Sequence, residues 1–133
     1  SMTPEEVILM QLAALAADRA PQHDGGRVCR RFASPANRAA TGSAEQFVQM
    51  LRNPLYEALL EHSDVKITPG SADGTTWLVD VTRRDGRVCT YVWRGSRLAD
   101  DATDVEPSTG APLAGCFVTD GVMPAYRGRR AQS

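Results

Sequence analysis

The chain changes its hydrophobic period once. Up to about residue 60 apolar side chains recur at three- and four-residue intervals, and after His62 they alternate. Thr3-Pro4-Glu5-Glu6 opens the first helix: Thr3 can cap the free amides, proline suits the first helical position, and Glu6 can close a capping box. This helix is expected to reach residue 18 or 20, with Ile8, Leu12 and Leu15 inward and the stripe widened by Val7, Leu9 and Met10. The segment 21–26 should stop it. A short helix over 27–33 would set Val28 and Phe32 on one side. Ser34-Pro35 then breaks the chain and caps a turn that Gly42 ends. Ser43-Ala44-Glu45-Gln46 is a second capping box, leading a helix whose face is Phe47, Met50 and Leu51. Asn53-Pro54 ends that helix, and 55–60 adds one or two helical turns.

Strands are expected at 65–68, 75–84, 87–94 and 113–119. A two-residue Asp85-Gly86 turn sets Val81 opposite Thr90 and Val79 opposite Val92. One face then carries Trp77, Val79, Val81, Val88 and Val92, and should meet the helices. The other carries Leu78, Asp80, Cys89, Tyr91 and Trp93, and is too apolar for a face left in water. Helices first and antiparallel strands last predict an α+β fold, with N-terminal helices on a curved sheet of about four strands. Residues 3–123 form one domain in this reading, and 124–133, with Arg127, Arg129 and Arg130, form a flexible basic tail. The polar, acidic segment 98–112 is long for a loop inside a compact domain, so it is either mobile or functional.

A net charge of −1 offers no global attraction to nucleic acid or to an anionic membrane. The run 7–17 is apolar except for Gln11, is too short to span a bilayer, and lacks the basic flank of a signal peptide. Cys29, Cys89 and Cys116 are odd in number and far apart, which suits reduced thiols in an intracellular, soluble protein; a Cys89–Cys116 bridge stays open.

Three stretches resemble a bacterial and plant domain-of-unknown-function family of the nuclear transport factor 2-like superfamily. They are Pro4-Glu5-Glu6-Val7 running into Gln11-Leu12-Ala13-Ala14-Leu15, then Phe32-Ala33-Ser34-Pro35-Ala36-Asn37-Arg38-Ala39-Ala40-Thr41-Gly42, and Gly115-Cys116-Phe117-Val118-Thr119-Asp120. The resemblance implies a cystatin-like cone in which helices close over a concave sheet around a pocket. It also implies dimerisation through the sheet's outer face, and residence in the cytoplasm or the plastid stroma. The superfamily includes isomerases, dehydratases, transport factors and accessory domains, so the fold does not choose the function.

On that frame Leu12, Phe32, Phe47, Trp77 and Val79 are the expected pocket residues, and Leu78, Tyr91 and Trp93 the expected dimer interface. A cone isomerase needs a carboxylate base beside a hydroxyl donor. Asp80 opposite Tyr91 offers that pair, and Asp120 is the carboxylate nearest the third stretch, although Thr119-Asp120-Gly121 also reads as a turn. Arg30, Arg31 and Arg38 could hold an anion or a partner's carboxylate beside helix starts; alternatively Ser34 and Asn37 cap turns and the arginines are solvated. His23 and His62 lack metal-ligand spacing, and Asp100, Asp101, Asp104 and Glu106 fail the EF-hand pattern, so no metal or cofactor is expected. The preferred reading is a non-catalytic, homodimeric cone domain that binds a protein partner or a small apolar ligand. The alternatives are a small isomerase or lyase using Asp80 or Asp120 with Tyr91, and a scaffold or assembly factor working through 98–112.

Overall fold

A computed structural model describes residues 3–19, 22–105 and 110–125; the basic tail beyond 125 and Glu106 lie outside them. Among the described residues, helices α1 (Pro4–Ala16), α2 (Asp24–Phe32), α3 (Pro35–Thr41) and α4 (Ala44–Leu51) come first. A single 3₁₀ turn, Glu57–Leu59, leads into strands β1 (Asp64–Pro69), β2 (Thr76–Thr82), β3 (Val88–Arg97) and β4 (Phe117–Pro124). The strands form one open antiparallel sheet in chain order. The architecture is therefore α+β, with helices preceding a four-stranded meander.

Local chemistry accounts for the helix starts. Thr3 and Glu6 form the reciprocal capping box on α1, Ser43 and Gln46 form another on α4, and Ser34 caps α3, which ends at Gly42 with φ of 74°. Helix α2 begins three residues before the expected position, and the glycines at 25 and 26 are helical instead of loop. They sit where helices touch: a Cβ on Gly25 would collide with the Ala14 carbonyl, and one on Gly26 would lie 2.8 Å from the Ala44 carbonyl oxygen. The close approach of α2 to α1 and α4 needs residues without side chains there.

The β2–β3 turn differs from the expected one, and the difference inverts a strand. The Arg83 N–H donates to the Arg87 carbonyl at 2.7 Å, and the Gly86 N–H to the Arg83 carbonyl at 2.9 Å. The connection thus has three residues, Arg84-Asp85-Gly86, with Gly86 at φ of 89°, the left-handed position that a three-residue hairpin requires. Val79 opposes Tyr91, Val81 opposes Cys89 and Trp77 opposes Trp93. A one-residue slip in register exchanges every side chain between faces. Trp77, Val79 and Val81 do face the helices, but Tyr91 and Trp93 join them, 1% and 2% exposed, while Val88 and Val92 lie on the outer face. The expected interface role of Tyr91 and Trp93 is therefore corrected: both rings are core, and only Leu78 of that trio lies on the outer face. Burying two large rings removes far more apolar surface from water than burying Val88 and Val92 would.

The last strand also starts later, at Phe117 instead of 113, and runs through Asp120 and Gly121 without turning. The β3–β4 register shifts between Arg94 and Gly95, so the chain accommodates an extra residue as a β-bulge at Asp120. On the other side of this irregularity the ring of Phe117 lies over Gly95, where a Cβ would strike it. The core joins Val7, Ile8, Leu12 and Leu15 of α1 to Leu59, the inner sheet face and Phe117. Leu9 and Met10, expected to widen the inward stripe, are 47% and 42% exposed. On the outer face, Lys66 of β1 stands exposed opposite Asp80. At the far edge, β4 is met by the chain at Ala33, which bridges Thr119 in parallel.

Candidate functional site

Between the helices and the inner face of β3 and β4 lies a cavity of about 130 Å³, with half-exposed Met50 in its lining. Its walls are mainly apolar, with Leu15, Phe47, Leu51, Leu59 and Val122 among them. A polar floor is built around Thr119, which is 3% exposed. The Gln11 amide donates to Thr119 Oγ1 at 3.0 Å, and the Trp93 indole N–H donates to the same oxygen at 2.9 Å. Gln11 Nε2 also reaches the Val7 carbonyl at 3.4 Å, which orients the amide with its nitrogen toward the floor. A hydroxyl has two acceptor sites and one proton, so Thr119 accepts twice and keeps its own O–H to give. Its backbone carbonyl takes the Ser34 N–H at 2.8 Å and the Asn37 side-chain amide at 3.1 Å. One residue thereby fastens α1, the α2–α3 junction and the sheet together.

Arg30 supplies the charge. It lines the cavity from α2, and its Nη1 is buried with no hydrogen-bond partner among the described residues. Among the described residues the lining contains no Asp or Glu. The three arginines singled out around Phe32 thus separate: Arg38 donates to the Ala33 carbonyl at 3.0 Å and closes the end of α2, Arg31 is exposed, and Arg30 turns inward. The indole N–H of Trp77 is the other buried side-chain polar atom without a partner among the described residues, and Trp77 lies outside the cavity lining.

The remaining groups near the cavity are poorly suited to proton or nucleophile chemistry. Burial, with Asp18 nearby, pushes the Cys29 thiol far above its ordinary range, so it stays protonated. Burial likewise raises the Tyr91 phenol, whose O–H donates to the Leu55 carbonyl at 2.7 Å and whose ring stacks on Tyr56 at 6.1 Å. All three cysteines are free thiols, so the Cys89–Cys116 bridge left open by the sequence does not form.

The expected catalytic trio is not assembled. Asp80 lies on the outer face and accepts from Thr90 Oγ1 at 2.6 Å, Tyr91 is on the inner face, and exposed Asp120 accepts from Ser96 Oγ at 2.9 Å. The turn reading of Asp120 gives way to the bulge. Of the expected pocket residues only Phe47 lines the cavity; Leu12, Trp77 and Val79 are core, and Phe32 packs against that core. Sequence reasoning missed Thr119 and Gln11, although a single glutamine in an otherwise apolar helical run was a visible signal. His23, just ahead of α2, is buried at φ of 51°, its Nδ1 2.8 Å from Asp18 Oδ2. Asp18 Oδ1 accepts from the Gly26 N–H at 3.3 Å, so the pair locks the α1–α2 corner.

Among the described residues no group of three or more His, Cys, Asp or Glu side chains could hold a metal ion, and no helix is long and apolar enough to cross a membrane. Comparison with protein-family models, with curated proteins and with solved structures finds no match to this chain.

Proposed function

We propose that this chain is a non-catalytic small-molecule-binding module of the nuclear transport factor 2-like, cone-shaped type, and that the cavity above Thr119 is its binding site. The observation that carries the reading is an apolar chamber with fixed hydrogen-bond donors at its floor. Small-molecule sites have that construction: apolar walls supply most of the affinity, and a few convergent polar groups set orientation. N-terminal helices packed on one face of an antiparallel meander support the cone assignment. An isomerase would need a base inside the chamber, and the carboxylates offered for it stand on the outer face and the exposed bulge.

The volume sets the size of occupant. An apolar cavity of roughly 150 Å³ admits benzene, so the ligand's buried part is about one ring or a short branched chain. Titrating isotope-labelled protein with benzyl alcohol should give saturable amide shifts centred on Gln11, Leu51, Thr119 and Val122. Val122→Phe fills the chamber and should abolish those shifts while leaving the circular dichroism spectrum unchanged. Shifts confined to other surfaces, or none that saturate, would overturn the assignment.

A further inference from the structure

We propose that the cavity is selective for a small organic monocarboxylate, with the apolar body against Phe47, Leu51 and Val122 and the carboxylate on Arg30. The inference rests on the cavity being the binding site, as argued above, and adds the chemical class of its occupant.

A guanidinium cannot lose its proton at ordinary pH, so Arg30 carries its charge wherever it is placed. Withdrawing a charged donor from water without a partner is costly, and the cost is recovered when an opposite charge with matching hydrogen-bond geometry arrives. Nη1 of Arg30 is buried and lacks a partner, and no carboxylate lines the chamber, among the described residues. Arg30 as a whole is only part-buried, but this one donor is shut off from water, and an anionic group on a ligand would meet it. A planar carboxylate fits a guanidinium edge with short, charge-assisted bonds. The uncommitted O–H of Thr119, left after it accepts from Gln11 and Trp93, offers the same ligand a second donor. Leu15, Cys29 and Leu59 line the same chamber, and its mainly apolar walls disfavour a doubly charged, strongly hydrated ion such as phosphate. A volume of about 130 Å³ restricts the body to the size of a benzene ring or a short branched chain.

Calorimetric titration at pH 7 tests this with benzoate, its neutral analogue benzyl alcohol, and inorganic phosphate. Benzoate should bind at least tenfold more tightly than benzyl alcohol, and phosphate should not bind. Arg30→Met should weaken benzoate by about tenfold to a hundredfold, the range for a hydrogen bond to a charged group, and leave benzyl alcohol within about threefold. Arg30→Lys keeps the charge and should recover part of the loss. Thermal unfolding of each variant shows that the fold is intact. Equal affinity for benzoate and benzyl alcohol, or full benzoate binding by Arg30→Met, overturns the carboxylate inference and leaves the cavity assignment standing. Binding of neither compound overturns both.

Discussion

Asp73 shows how much one exposed side chain can organise. A single carboxylate oxygen accepts from Ser71 Oγ at 2.7 Å, from the Thr75 N–H at 3.1 Å and from Thr75 Oγ1 at 2.7 Å. Those donors, the Ser71 hydroxyl first, hold its pKa down at about 2. The unfolded chain has an Asp pKa of about 3.9, so the folded state binds this proton more weakly. Stability from this group is thus complete above roughly pH 5 and fades as pH falls through 4 toward 2. Asp73→Asn should flatten that part of the acid limb, read as urea midpoints at pH 5, 4, 3 and 2; an unchanged slope would refute the assignment. The same scale explains the site residues that were overlooked. Gln11 and Thr119 matter because their polar atoms meet in space from positions 108 residues apart, and no local pattern encodes such a meeting.

Elements were legible where their signals were local. Both capping boxes, the Ser34 cap and the Gly42 stop stand as read, because each is closed by residues within one turn. Element contacts were less so. Gly25 and Gly26 read as a helix stop, yet helix α2 uses them to approach its neighbours. Gly26→Ala should therefore lower the thermal midpoint although alanine is the better helix former. Crowding against the Ala44 carbonyl and Val48 costs about 1–3 kcal/mol, against about 1 kcal/mol of propensity gained. An unchanged or raised midpoint would show that α2 can move aside freely. The hairpin carries the same lesson more sharply. Asp85-Gly86 serves a two-residue or a three-residue loop, and the valines of β3 alternate against its aromatics on either register. Only the volume available under the helices chooses, and it chooses Tyr91 and Trp93.

At the scale of the whole molecule, an open sheet has two edges to manage. The chain at Ala33 and Ser34 meets β4, whereas β1 is the sheet's other edge strand. Unpaired strand edges recruit other copies unless charge or proline interrupts them, and β1 carries both, Lys66 near its centre and Pro69 at its end. Lys66→Val would join Val65 and Ile67 into an unbroken β-branched run and should produce concentration-dependent association by light scattering, while Lys66→Glu should not. Fourteen of the fifteen basic residues in the chain are arginine, so Lys66 is its one side-chain amine. Any acylating reagent that reaches the protein's side-chain amines must land on that strand, and a single modification would strip the guard from the edge that has to stay solitary.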